Sequence, residues 1–273
     1  MDVFASVARS IVAQAGSRLR VAWGESKVIE HKSAIDIVTQ TDREVEALVA
    51  GELRNAFPDH LIVAEEASAG SALQPPPAER YVWYLDPLDG TTNFAHAHPH
   101  FAISLALARG GDVLLGIVHD PVRHETFLAR RGGGATLNDQ PLHVSAVDDL
   151  EQALIGTGFP YDRREHLGFY LGFLADFMRR AQGVRRAGSA ALDLCYVACG
   201  RLDGFWEWKL KPWDTAAGAL IVAEAGGTVT DFRGGPFDLY GPQTLASNGG
   251  LHAVMINTLS AGLSSSPPPD TRG

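Results

Sequence analysis

Cysteine is nearly absent from the 273 residues, which hold only Cys195 and Cys199, in SAALDLCYVACG. Four apart on a helix, they share one face and read as small core residues; a zinc site would need further ligands nearby, which the segment lacks. Long apolar runs are missing too, since none reaches the roughly 18–20 residues needed to cross a bilayer. The opening MDVFASVARS lacks a basic-then-apolar signal pattern, so the expected location is the cytoplasm, with no membrane partner. Basic residues are outnumbered, 23 Lys and Arg against 32 Asp and Glu, for a formal charge of −9. No Lys/Arg run exceeds short pairs such as Arg163-Arg164 and Arg185-Arg186, which argues against a dedicated nucleic-acid surface. Internal repeats and long linkers are absent as well. One domain is expected over residues 1–262, in halves of about 1–147 and 148–262, with a disordered tail at 263–273.

What is present is an apolar run with an abrupt acidic end. In YVWYLDPLDGTTNF, 81–94, Tyr81 to Leu85 is aromatic and branched enough for a buried strand. Asp86-Pro87-Leu88-Asp89-Gly90 then reads as a tight turn delivering both carboxylates to the strand's end. Before it, the spacing predicts a helix over 2–22, a hairpin over 27–41 that carries Lys32 and Asp36, and a helix over about 42–56. A short strand, Leu61 to Ala64, runs into Glu65-Glu66, and 68–80 reads as a surface loop. After it come an antiparallel meander through residue 137 and then an α/β half with helices near 165–182, from Ser189, and over 215–225.

Glu65, Asp86, Asp89 and Asp214 each sit where a strand or loop gives way to a turn or helix start. Hydrolysis of a phosphate monoester is very slow without catalysis, and the attacking water, the phosphoryl oxygens and the leaving oxygen all need charge stabilisation. Carboxylates from separate segments can hold divalent cations for that task, Mg²⁺ being satisfied by a few oxygen ligands and its own waters. Singly, each acid also reads as a cap or a solvated turn. Gly90 lets backbone N–H groups approach an anion, and Thr91 can polarise a water if Asp42 takes its proton. Two other patterns invite sites and read as structure. His96, His98 and His100, interrupted by Pro99, are expected at a surface or turn, and Gly132-Gly133-Gly134 lacks the lysine of a phosphate-binding P-loop.

Together, Glu65-Glu66, DPLDGTTNF (86–94) and WDTAAG (213–218) resemble the inositol monophosphatase family of lithium-sensitive, magnesium-dependent phosphatases, kin to fructose-1,6-bisphosphatases. DIVTQTD (36–42), GTGFPYDRR (156–164) and the stretch 185–207 support the resemblance, which spans about residues 5–255. It implies an α/β fold layered as an αβαβα sandwich, usually a homodimer. It further implies that Glu65, Asp86, the Leu88 carbonyl, Asp89 and Asp214 bind two Mg²⁺ ions, with a third, weaker ion under a loop at Lys32 and Asp36. Thr91 and Asp42, with Glu65, are the implied catalytic residues that activate the water. Gly90 and Thr91 would hold the phosphate, and Ala190, Glu207 and Asp214, with Arg185 and Ser189 close by, would meet the substrate.

Thr92-Asn93 after DGT is similar to the branch acting on inositol phosphates, and a carboxylate at Glu207 suits the hydroxyls of a small phosphorylated polyol. The expected reaction is hydrolysis of inositol 1-phosphate or a related polyol monophosphate. Histidinol-phosphate or fructose-1,6-bisphosphate phosphatase are alternatives, as is an interaction protein that keeps the fold mainly to bind macromolecules.

Overall fold

The computed structural model describes residues 1–25, 29–31, 37–70 and 72–265; Lys32 and Asp36 lie outside them, as do residues 266–273. The chain opens with α1 (Asp2–Trp23), an antiparallel pair β1 (Ile29–His31) and β2 (Ile37–Thr39), and α2 (Gln40–Ala56). Next come β3 (Leu61–Ala64), β4 (Tyr81–Asp89), a short α3 (Thr91–Ala95), β5 (Ala102–Arg109), β6 (Asp112–Asp120), β7 (Glu125–Arg130), β8 (Ala135–Leu137) and β9 (Gln140–Pro141). These strands form one seven-stranded sheet in chain order, β3 and β4 parallel and the others antiparallel. The remainder is β10 (Leu154–Thr157), α4 (Leu167–Arg180), β11 (Gly183–Arg185), α5 (Ala190–Ala198), β12 (Gly204–Trp208), α6 (Pro212–Glu224), β13 (Thr228–Thr230), β14 (Gln243–Ser247) and α7 (His252–Ser265). Its strands form a second sheet in the order β11-β10-β12-β14-β13.

Period-two alternation stacks the layers. From β4, Trp83 and Leu85 join Ile103, Leu105 and Ile117 against α1 and α2, through Ile11, Val45 and Val49. The neighbouring residues Val82 and Tyr84 turn the other way, joining Ala106, Val118 and Phe127 against α5 and α6. Phe205 and Ala246 of the second sheet reach the same two helices from their far side. Trp206, Trp208 and Leu245 face outwards onto Phe173 and Phe177 of α4 and Met255 and Leu259 of α7. The result is an αβαβα sandwich. Helices α5 and α6 lie between two sheets, which is why both are apolar nearly all round.

Several boundaries differ from the sequence reading. Thr39 caps α2, which therefore starts at Gln40. Pro212 opens α6, its fixed φ suiting the first helical position. Helix α7 runs through Ser265, so residues 263–265 belong to a helix and not to a disordered tail. Among the described residues, no helix is long and apolar enough to cross a membrane.

Candidate active site

The acidic turn is built differently from the expectation. Strand β4 does not stop at Leu85 but continues to Asp89, and the chain turns only at Gly90, whose φ of +97° favours glycine. Asp86 pairs with Ser104 and Asp89 with Ala102, three steps along β4 for two along β5. Residues three apart on a regular strand point to opposite faces. The extra residue is a β-bulge that restores the face, so both aspartates stand on the side of Ser104 and Ala102. That side meets α5 and α6, and Ser104 donates from its hydroxyl to the Trp213 carbonyl beside Asp214 (2.8 Å).

Three of the acids, Asp86, Asp89 and Asp214, are each held through one carboxylate oxygen. Asp86 Oδ1 accepts from the Leu88 N–H (2.9 Å), and Asp214 Oδ2 from the Lys211 N–H (2.7 Å) at the start of α6. Asp89 Oδ2 takes the Ser189 hydroxyl (2.6 Å) and the Ala191 N–H (2.7 Å), which ties β4 to the N-terminus of α5, where a helix favours negative charge. Glu65 leaves β3 at a one-turn helix whose Glu66 and Ala67 N–H groups are capped by the Glu46 carboxylate of α2. Thr91 Oγ1 lies 2.9 Å from Asp42 Oδ1 and 3.0 Å from the Leu88 carbonyl. Asp42 Oδ2 accepts in turn from the Thr39 N–H (2.9 Å). With its proton directed inwards, the Thr91 hydroxyl offers lone pairs to the cavity.

A cavity of about 1400 Å³ opens between the two halves, lined by Glu65, Asp86, Leu88, Asp89, Gly90, Thr91, Ser189, Ala190, Glu207 and Asp214. Burial, then the charges of Glu65, Asp89 and Asp214, push the Asp86 carboxyl well above its ordinary range. Burial likewise raises Asp89 to about 6, against the pull of its donors, and raises Asp214, with the charges of Asp89 and Glu65 adding to the shift. Burial also raises Asp42, against the pull of its Thr39 and Thr91 donors. Among the described residues, no group of three or more His, Cys, Asp or Glu side chains is placed so as to hold a metal ion. The carboxylates ring the cavity instead, close enough to resist one another's ionisation. With carboxylate and carbonyl oxygens and no thiolate or imidazole, the donor set fits a hard divalent cation such as Mg²⁺.

A sequence profile described as the inositol monophosphatase family matches residues 1–263. The chain belongs to the inositol monophosphatase family. It is 41% identical over 262 residues to an inositol-1-monophosphatase of Synechocystis, covering 96% of this chain and 90% of that protein. It is 43% identical over 264 residues to a putative Nus factor SuhB of Neisseria meningitidis, covering 96% and 99%. Among solved structures, the inositol monophosphatase from Anabaena superposes with a TM-score of 0.85 at 38% identity, covering 97% of this chain and 99% of that one.

In this member of the inositol monophosphatase family, the residues singled out from the sequence do not all reach the cavity. Asp42 lies behind Thr91, fully buried. Arg185 is exposed at the end of β11 and donates to the neighbouring Val184 carbonyl, whereas Arg186 lines the cavity. Arg163, Lys209 and Lys211 line it too, as do Ser68 to Gly70 and Leu73 of the stretch read as a surface loop. The adjacent arginines were the one signal for Arg186; which of them turns inwards depends on where β11 ends. His96 and His98 are exposed as expected, but His100 is buried against Tyr196, where burial lowers it to about 4. The triple glycine is a turn, and the N–H groups of Gly132 and Gly134 hold the Glu224 carboxylate of α6. Cys195 is buried and Cys199 half-buried, both as free thiols.

Proposed function

We propose that the protein is a Mg²⁺-dependent phosphomonoesterase that hydrolyses inositol 1-phosphate or a related small polyol monophosphate. The bulge in β4 carries the reading, because it brings Asp86 and Asp89 to one face, opposite Asp214 and beside Glu65. Glu65, Asp86, the Leu88 carbonyl, Asp89 and Asp214 would hold the cation. When bound, it supplies an activated water and offsets the charge on the phosphoryl and leaving oxygens. Thr91, donating to Asp42, accepts a hydrogen bond from the water and orients it. The first-turn N–H groups of α3, at Gly90 and Thr91, hold phosphate oxygens. Ser189 and Ala190, at the head of α5, and Glu207 line the same cavity and would meet the alcohol portion of the ester.

Purified protein should release phosphate from inositol 1-phosphate with Mg²⁺, lose that activity in EDTA, and regain it when Mg²⁺ is restored. Equal turnover in EDTA would sink the metal mechanism. Thr91→Val, which keeps the shape and removes the hydroxyl, should lower kcat about a hundredfold with little change in KM. A kcat within threefold of wild type would remove Thr91 from the water-orienting role. Relatives named Nus factor favour the alternative of an interaction protein. Against that as the sole role, four acids gathered at one cavity repel one another at a cost unless something is bound there. A pull-down in which Asp89→Asn retained macromolecular partners would support a second task.

A further inference from the structure

Glycine stands at Gly156 in β10 and at Gly158, one residue past its end, and Gly158 lines the cavity. A Cβ on Gly158 would lie 2.1 Å from Glu207 Oε2, so its absence leaves a notch that the Glu207 carboxylate fills. One on Gly156 would meet Leu202 Cδ1 at 2.8 Å and Phe205 Cδ2 at 3.3 Å, with Asp193 Cγ at 3.6 Å. Two acids stand on this stretch of the cavity wall, Glu207 on β12 and Asp193 on α5, the latter only 2% exposed.

Asp193 differs from the other acids of the cavity. Asp86, Asp89 and Asp214 each have an oxygen held by a backbone N–H. Asp193 Oδ1 is sealed from solvent and has no hydrogen-bond partner among the described residues. Glu207 and Asp89 add negative charge beside it, and Arg186 is the cation whose charge reaches it. Buried carboxyl oxygens in native proteins nearly always have a donor, and one without is a standing cost that a ligand can remove. Rotation about the terminal torsion of Asp193 exchanges its two oxygens, so a donor arriving from the cavity can meet this carboxyl.

We propose that Asp193 is a specificity-determining residue, whose carboxyl joins Glu207 in accepting hydrogen bonds from hydroxyl groups on the alcohol portion of a phosphate ester. The proposal rests on the phosphomonoesterase reading and names the part of the substrate that the notch reads. Two neighbouring acceptors match neighbouring hydroxyls, both of which can donate. An ester with an apolar alcohol leaves both acids unpaired.

The test compares kcat/KM for inositol 1-phosphate and 4-nitrophenyl phosphate, with Mg²⁺, in wild type, Asp193→Leu and Asp193→Asn, alongside thermal midpoints. Asp193→Leu is expected to lose about tenfold or more on inositol 1-phosphate, mostly through KM, and to stay within about threefold on the nitrophenyl ester. Its midpoint should not fall, because the unpartnered buried oxygen is gone. Asp193→Asn, which preserves shape, should shift selectivity in the same direction and serves if the leucine variant does not fold. Parallel losses on both esters, or a lowered midpoint with unchanged selectivity, would overturn the role of Asp193 and leave the phosphatase reading standing. Failure of wild type to turn over either ester would overturn both.

Discussion

Replacing Asp89 with asparagine is expected to abolish nearly all Mg²⁺-dependent phosphate release and, in EDTA, to raise the thermal midpoint. Both effects have one origin. Asp89 is buried beside two other site acids, and its carboxyl sits at about 6, so at neutral pH it is ionised at a cost to the folded chain. Its folded value is raised above that of the unfolded chain, so the destabilisation is present above that value and fades as the pH falls towards the unfolded value. The neutral amide removes this cost. Its carbonyl can still accept from Ser189 and Ala191, so α5 keeps its anchor. What the proposed function would lose is the negative oxygen offered to the cation. Lewis-acid stabilisation is worth several kcal/mol, so kcat should fall on the order of a thousandfold. Adding Mg²⁺ should stabilise wild type more than the variant and narrow the gap in midpoint, because a ligand stabilises the state that binds it. Activity within tenfold of wild type would remove Asp89 from the ligand set. A lowered midpoint in EDTA would contradict the repulsion among the acids.

Gly116→Val should have the largest effect on stability. Gly116 lies near the middle of β6, paired with Ala106 on one side and Ala129 on the other. This row of small residues lets α6 sit directly on the sheet. A Cβ on Gly116 would fall 2.7 Å from the Ala217 carbonyl oxygen and 2.9 Å from its Cα. Both are backbone atoms, which cannot swing aside as a long side chain does. The helix cannot retreat freely either, since Leu194 of α5 packs where a Cβ on Gly218 would lie, at 2.6 Å. Overpacking a close-packed interior costs about 1–3 kcal/mol, and three added carbons against backbone place this variant at about 3 kcal/mol. Urea unfolding would measure it. Because α6 carries Asp214, any shift that relieves the clash moves a site acid, so phosphate release should fall as well. A loss of stability below about 0.5 kcal/mol would show that α6 and the sheet are not in this register.

The predicted elements came largely from periodicity. Alternation along Tyr81 to Leu85, helical spacing in 2–22 and the proline and glycine breaks are local properties, and each produced an element close to the observed one. The acids were legible for a related reason. In the sequence Glu65, Asp86, Asp89 and Asp214 read as standing at element ends, where a carboxylate is either a cap or a ligand, although β4 runs on through Asp86 to Asp89. Asp42 and Asp214 in fact hydrogen-bond to the capping residue's N–H at the head of a helix, and Asp214 also lines the cavity. Asp193 was not legible. Four residues after Ser189 and flanked by Leu192 and Leu194, it reads as one more position in a core helix, and nothing local shows that its oxygen ends without a donor.

The sequence by itself determined the donor types and the building blocks. Hard oxygen donors, a threonine with an acidic partner, and apolar repeats of period two and 3.6 are written in residue types and spacing. Only the tertiary structure decided which side chains share a site. The side on which Asp89 lies relative to Asp86 depends on one extra residue in the pairing with β5, and register belongs to two strands together. Whether Arg185 or Arg186 lines the cavity depends on where β11 ends. The notch filled by Glu207 exists because Gly158 lies on another segment. Burial is set by what other segments bring near a residue, and no local pattern carries that information.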